Sequence, residues 1–276
     1  MSWRGHLSLS YARDGERTVA HDRHHGPLRV LQRLYPEGPA VCHHVLVHPP
    51  GGIVGGDVLE IDVELAAGSH ALITTPGASR FYRSAGATAR QDLRARVAAD
   101  ARLEWLPMET LAYEGCLAEN RLRFELAPGA EMIGWDLLAL GLPAAGAPFT
   151  RGRFLQHLEL PGVWLERGHI DAADQRLRDS PLGWAGHDTL ATLWFAAGEP
   201  LPADRRDALI AAARQASAAW GEGLQVGSTA LHPQVVVLRA LAHRVEPAMR
   251  LLVAVRAAWR HAAWQMTAEP PRVWRT

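Results

Sequence analysis

The side chains in this sequence that could do chemistry are carboxylates and histidines, and they do not form a known catalytic motif. The 276 residues contain no Gly-x-Ser-x-Gly and no His-Glu-x-x-His, and neither cysteine stands in a local catalytic signature. All 29 basic residues are arginine, which excludes a Walker A lysine and a Schiff-base lysine. The notable carboxylates are Asp57, Glu109, Glu114, Asp136 and Glu166. They leave one enzyme alternative open, a carbohydrate-active β protein with paired carboxylates in a tryptophan-lined cleft.

Two groups of histidines are candidate metal ligands, but neither has the pattern of a tight site. The first group lies in residues 21–25, where the spacing is loose and no carboxylate or thiolate is patterned with it, which favours a solvated loop. In the second group, His44 and His48 share one face of a predicted strand while His43 points the other way. Such a pair could hold nickel weakly, although packed or surface histidines are the simpler interpretation. The sequence therefore assigns no firm metal site and predicts no tightly bound cofactor.

One stretch, residues 48–57, is so rich in glycine and proline that it must form a tight loop between strands. Its loop-forming residues are Pro49, Pro50, Gly51, Gly52, Gly55 and Gly56. Proline fixes φ and lacks an N–H, while glycine admits left-handed backbone without steric cost. The glycine spacing does not match a phosphate-binding loop, and a strand follows where a helix should open. A loop of this composition more often serves a function than fills a gap.

The segment 80–84 follows a Pro-Gly turn and combines arginine with aromatic side chains. Arg80, Tyr82 and Arg83 are typical of protein–protein hot spots, because both side-chain types bury large areas with fixed geometry. A structural role, in which the arginines bind loop carbonyls, explains them equally well. The C-terminal tail, which includes Trp274, is predicted to be an extended arm that reaches a partner.

The elements that must position these residues are short strands. From residue 58 to about 167, a period-2 amphipathic strand, a tight turn and a return strand recur at intervals of about 30 residues. Units of this length cannot bury their apolar faces alone and must stack. We therefore expect a mainly β fold, in which stacked, twisted β-sheets built from repeated hairpins form a β-helix-like body over residues 1–180.

The pattern changes in the C-terminal third, residues 181–276, which is predicted to mix helix and strand. Helical spacing of apolar residues predicts helices at 204–220 and 247–264, with a buried strand at 235–241 between them. In the second helix, Arg250, Arg256 and Arg260 are expected to surround the apolar face. Both helices are expected to pack against the core.

The composition is that of a globular protein, with 48% hydrophobic and 21% charged residues, and we expect one domain over residues 1–276. The formal net charge is zero, so no basic field attracts nucleic acid. No apolar run approaches the ~20 residues that span a bilayer, and the N-terminus lacks a signal-peptide core. We therefore expect a cytoplasmic protein without membrane partners.

Six blocks of the sequence resemble the UreD family of urease accessory proteins, also called UreH. These blocks are residues 28–38, 48–57, 74–84, 103–110, 133–136 and 271–274. They occur in order and span nearly the whole chain.

The resemblance implies a mainly β scaffold without enzymatic activity. Proteins of this family bind the urease apoprotein and dock the accessory proteins UreF and, through UreF, the GTPase UreG. Nickel is then cargo in transit, thought to pass through an internal channel towards the urease active site. A channel for a divalent cation needs carboxylates and waters at intervals, each weak enough to release the ion. We therefore expect Asp57, Asp136 and Glu166 to face an interior polar path, although each could instead be a structural ion pair or loop cap.

Overall fold

Strands dominate the chain, as the period-2 alternation predicts. The computed structural model describes residues 2–218, 220 and 223–275. Its strands are β1 (Arg4–Asp14), β2 (Arg17–His25), β3 (Arg29–Val30), β4 (Val41–Val47), β5 (Val58–Leu65), β6 (His70–Thr74), β7 (Ser79–Phe81), β8 (Ala89–Val97), β9 (Arg102–Leu106), β10 (Thr110–Ala112), β11 (Leu117–Leu126), β12 (Glu131–Leu142), β13 (Ala147–Pro148), β14 (Arg153–Leu160), β15 (Trp164–Asp171), β16 (Thr189–Ala197), β17 (Leu224–His232) and β18 (Val235–Ala242). The described residues also form the α-helices α1 (Gln175–Asp179), α2 (Ala203–Ser217) and α3 (Val245–Trp264).

Two large sheets enclose the main core. The seven-stranded sheet has the order β15-β14-β11-β8-β5-β1-β2, and its strands from β1 to β14 pair in parallel. The main path of the second sheet is β17-β18-β16-β12-β9-β6-β4-β3, with parallel pairing from β4 to β12. Successive parallel strands are the stacked turns of a β-solenoid, so the predicted mainly β, β-helix-like architecture is confirmed.

The repeated unit differs from a hairpin in most turns of the solenoid. In β5–β6, β8–β9 and β11–β12, the two strands on either side of the turn lie in different sheets and do not pair with each other. Each pairs with the equivalent strand of a neighbouring unit, so these units are arches, whereas β14–β15 is an antiparallel hairpin. Alternation shows which face of a strand is buried but not where its backbone hydrogen bonds go, so the sequence pattern fits both geometries.

The interior between the sheets is built from the inward-facing positions of the alternating strands. On β5, Leu59, Ile61, Val63 and Leu65 are each at most 4% exposed and belong to this core. A second apolar core lies between the other face of the β16–β18 region and the helices α2 and α3. Several strands of the second sheet contribute residues to both cores, namely β6, β9, β12, β16 and β18.

The two predicted C-terminal helices are confirmed, with shifted ends. Helix α2 ends at Ser217, before the predicted end at 220, and Ala219 lies outside the described residues. In α3, Arg250 is exposed, but Arg256 and Arg260 are fully buried rather than arranged around the apolar face. Among the described residues, no helix has both the length and the apolar character needed to cross a membrane.

Candidate functional site

The glycine-rich loop connects β4 to β5 and is pinned by backbone hydrogen bonds. Gly51 and Gly56 have φ of +76° and +93°, which only glycine adopts readily. The buried Asp57 carboxylate accepts hydrogen bonds from the N–H groups of Trp3 (2.7 Å) and Val54 (3.0 Å). Ile53 donates its N–H to the carbonyl of Arg80 at 2.7 Å, which fastens the loop to the neighbouring 75–82 segment.

Gly52 is the glycine of this loop at which an added Cβ would come closest to another atom. A Cβ added there would lie 1.9 Å from Cε2 of Tyr82, whereas one added at Gly77 would meet no atom within 4 Å. We expect Gly52→Ala to destabilise the chain by about 1–3 kcal/mol, because the Tyr82 ring must move. Gly77→Ala, the matched control, should have almost no effect. Urea unfolding of the two variants tests this, and equal stabilities would contradict the packing described here.

The predicted partner-binding residues fall into two separate places. Arg80 and Arg83 are exposed on the segment that packs against the glycine-rich loop, with Tyr82 between them and its ring 4.9 Å from that of Tyr113. Trp274 lies elsewhere, against Thr74 and Trp135. The tail that carries it forms a 3-10 turn (Arg272–Arg275), so the predicted extended arm is wrong. Partner contact through these residues stays a prediction.

The Trp274 indole is packed onto its own chain. Its N–H donates to Thr74 Oγ1 at 2.8 Å, and its ring lies 5.2 Å from that of Trp135. The Arg256 guanidinium carbon lies 5.9 Å from the centre of the Trp274 ring. A partner that used this indole would contact a residue held in place by the solenoid and α3.

Asp136 lies between the two sheets in a row of polar side chains. Asn120 donates to one carboxylate oxygen at 3.1 Å and Gln156 donates to the other, while Gln91 donates to Asn120 Oδ1 at 3.2 Å. Gln91, Asn120 and Gln156 are register partners on β8, β11 and β14, and we call them the amide row. Asp136 stands opposite the row on β12, with Thr192 of β16 as its register partner. The hydroxyl of Thr192 is buried and has no hydrogen-bond partner among the described residues.

Glu166 extends this polar region to the edge of the sheets. Its carboxylate binds Arg239 of β18, the register partner of Thr192, so the ion pair joins the two sheets. Burial and the charge of Glu166 raise the pKa of Asp136 to about 7. Burial also raises the pKa of Glu166, although Arg239 partly offsets this effect. The structure therefore brings Asp136 and Glu166 into electrostatic contact.

Asp57 is placed differently from the other two predicted path residues. Both of its oxygens are occupied by backbone N–H groups, and no described contact links it to Asp136 or Glu166. Its geometry is that of the loop cap that the sequence allowed as an alternative. Its role in an interior path stays a prediction.

Asp136→Asn is expected to make stability less dependent on pH. Because burial raises the pKa of Asp136 from its ordinary 3.8 to about 7, the folded chain retains a proton that the unfolded chain releases in this range. The free energy of unfolding should therefore fall as pH rises from 3.8 towards 7, by at most about 1.4 kcal/mol for each pH unit. Urea unfolding at about pH 5 and about pH 7.5 measures this slope. Asp207→Asn, at an exposed position, is the control and should keep the wild-type dependence of stability on pH. If Asp136→Asn also kept the wild-type dependence, the raised pKa of Asp136 would be contradicted.

A second polar feature, which the sequence interpretation missed, is a buried ion cluster under α3. It consists of Glu37, His43, His70, Glu104, Arg256 and Arg260. Glu104 of β9 is fully buried and contacts Arg256 Nη2 at 2.7 Å and His70 Nε2 at 3.0 Å. Arg260 binds Glu37 at 2.6 Å. Burial alone would raise the pKa of Glu104, but the Arg256 charge and the His70 hydrogen bond hold it well below its usual range.

Two of the candidate metal-binding histidines, His43 and His44, make structural contacts. His43 Nε2 lies 2.7 Å from Glu37, and His44 Nδ1 lies 2.7 Å from the Tyr11 hydroxyl. Burial lowers the pKa of His44 to about 4. In the described part of the chain, no group of three or more His, Cys, Asp or Glu side chains has the arrangement of a metal site.

Most tryptophans in the described part of the chain are buried, so they do not form the open, tryptophan-lined cleft that the carbohydrate alternative requires. Seven of the ten tryptophans are buried. They are Trp105, Trp135, Trp164, Trp184, Trp194, Trp259 and Trp264. Asp136 is itself inside the solenoid, so it is not an acid at the surface of a substrate groove.

The stacked parallel strands define a β-solenoid protein, and its interior contains a polar region around Asp136. Comparison with known proteins identifies its family. The family model described as UreD urease accessory protein matches residues 4–275. The urease accessory protein UreD of Leptothrix cholodnii (strain ATCC 51168 / LMG 8142 / SP-6) is 66% identical over 278 residues, covering 100% of both chains. The UreD proteins of Variovorax paradoxus (strain S110) and Paracidovorax citrulli (strain AAC00-1) are 60% and 57% identical, covering 100% and 99% of both chains, respectively. The chain belongs to the UreD family of urease accessory proteins.

Proposed function

We propose that this protein is a urease maturation factor without enzymatic activity. It binds the urease apoprotein together with UreF and, through UreF, UreG, and it supports delivery of nickel to the urease active site through an interior polar path in the cytoplasm. The observation that carries the proposal is Asp136, a buried carboxyl surrounded by amides inside a chain of the UreD family. The family membership supports the role in urease maturation, and the polar interior supports the route.

The polar region places side-chain oxygen atoms between the two sheets of the solenoid. A divalent cation that sheds its hydration shell inside a protein needs side-chain oxygens or bound waters to replace that shell. Such atoms come from Asp136, from the carbonyl oxygens of Asn120 and Gln156 once the amides rotate, and from the Thr192 hydroxyl, which has no partner among the described residues. These are hard oxygen ligands, which hold nickel less tightly than a histidine–thiolate set and therefore suit transfer.

Arg239 and Glu166 mark the end of the proposed path nearest to solvent. The Glu166 side chain is 16% exposed and that of Arg239 is 47% exposed. The Arg239 guanidinium neutralises the Glu166 carboxylate in the isolated chain. A passing cation must therefore displace Arg239 from Glu166. Glu166→Gln should therefore reduce nickel transfer less than loss of Asp136, because the interior oxygens remain.

The exposed Arg80–Arg83 segment is the partner surface that we propose. Charge reversal, Arg80→Glu with Arg83→Glu, should reduce co-purification of UreF and urease with a tagged chain by at least about tenfold, since arginine hot spots dominate such interfaces. Reversal of Arg96, an exposed arginine on the outer face of β8, is the matched control. A second variant, truncated after Pro270, tests the tail. Unchanged co-purification in the charge-reversed variant would refute this surface.

A further inference from the structure

A cavity of ≈ 330 Å³ opens between the glycine-rich loop and the 75–80 segment. Its walls include Leu28, Leu46, Ile53, Leu59 and Ile61, so it is mainly apolar. The walls are fixed, because the backbone hydrogen bonds from Ile53 to Arg80 and from Tyr82 to Ile53 tie the two segments together. Cavities of this size and character are typical of preformed ligand sites.

Two residues that line this cavity carry N–H donors without an acceptor among the described residues. Trp105 is 3% exposed, and its indole nitrogen has almost no accessible surface, so the residue contributes a wall of the cavity and its N–H is out of reach of an occupant. Arg80 also lines the cavity but is exposed, and its guanidinium has no ion-pair or hydrogen-bond partner in the described part of the chain.

The chemistry of the cavity differs from that of the proposed nickel path. A guanidinium at the mouth repels a divalent cation and attracts a carboxylate. Gln91 lines both regions, but its amide already donates to Asn120 on the path side. The cavity thus matches an occupant with an apolar body and a negative group for Arg80.

We propose that this cavity takes a short segment of a partner protein in which an apolar side chain is followed by a carboxylate. The apolar side chain fills the cavity, and the carboxylate pairs with Arg80. This inference rests on the proposed scaffold function, since it specifies the chemistry of a segment in a partner that the scaffold binds. The exposed position of Arg80 beside Tyr82 and Arg83 makes the cavity continuous with the proposed partner surface.

N-acetyl-L-leucine is the probe, because it carries an apolar side chain directly followed by a carboxylate. Binding to the purified full-length chain is followed by the indole N–H signal of Trp105 in a ¹H–¹⁵N spectrum. We expect a shift of that signal, with affinity about tenfold weaker for Arg80→Gln and partly restored by Arg80→Lys, since one charge-assisted contact is lost. The uncharged N-acetyl-L-leucine amide should bind as weakly to the wild type as the acid binds to Arg80→Gln. Thermal unfolding confirms that the surface variants fold.

The same variants are then tested for co-purification of partners from cells with the urease and accessory genes. Weaker capture by Arg80→Gln, in parallel with weaker probe binding, supports the proposal. A probe that leaves the Trp105 signal unshifted, or binds equally to Arg80→Gln, overturns it. Probe binding with undiminished partner capture also overturns it, since the cavity would then hold a free small acid. Failure of the scaffold function would appear separately, as urease maturation that does not require the chain.

Discussion

Replacement of Glu104 with alanine is expected to destabilise the protein by about 3–5 kcal/mol, because it leaves buried arginine charges without their counter-charge. Glu104 and Arg256 are both fully buried, and Arg260 Nε lies 3.6 Å from the same carboxylate. Urea unfolding measures the loss. Glu60→Ala is the matched control, since its partner Arg4 is 74% exposed and such surface pairs contribute about 0–1 kcal/mol.

The pairing also predicts strong coupling between Glu104 and Arg256. Each single replacement removes the same ion pair, so Glu104→Ala combined with Arg256→Met should cost clearly less than the sum of the two single changes. Additive costs would show that the two residues act independently. A cost for Glu104→Ala no larger than that for Glu60→Ala would show that the cluster does not hold α3 on the sheet.

The second large effect concerns nickel. Asp136→Leu removes the charge and the oxygens at the centre of the polar region while keeping a similar volume, so the nickel content of co-expressed urease should fall by at least about tenfold. Co-purification of partners should be unchanged, because Asp136 is 4% exposed and lies between the two sheets. Asp207→Leu, at an exposed position on α2, should leave nickel loading unchanged.

The triple replacement of Asp57, Asp136 and Glu166 with alanine should also lower nickel loading without abolishing partner binding. In the structure, Asp57 caps the glycine-rich loop, whereas Asp136 and Glu166 lie in the polar region. Loss of Asp57 frees the N–H groups of Trp3 and Val54, so its effect should appear as a loosened loop and lower stability. Full urease maturation by the triple variant would refute the interior path.

Much of the fold could be predicted from local alternation, but the pairing of strands could not. On β5 the apolar residues face the core in the predicted order, because period 2 directly encodes the buried face. Whether β5 and β6 pair with each other or with neighbouring units depends on contacts about 30 residues apart, which no local pattern contains.

The polar interior was only partly predictable. Asp136 and Glu166 were expected to face inward, but Asn120 and Gln156 were missed. A signal for them exists, since each occupies an inward position in register with the apolar residues of its own strand, such as Leu122 on β11 and Leu158 on β14. The ion cluster offers no such signal, because Glu104 and Arg256 are 152 residues apart in the sequence.

The most direct test of the proposed function is the nickel content of urease purified from nickel-fed cells that carry the urease and accessory genes, with and without the gene for this protein. We expect urease made without it to be largely empty of nickel and inactive, and urease made with it to be loaded. Equal nickel content in the two preparations would contradict a role for this chain in delivering nickel.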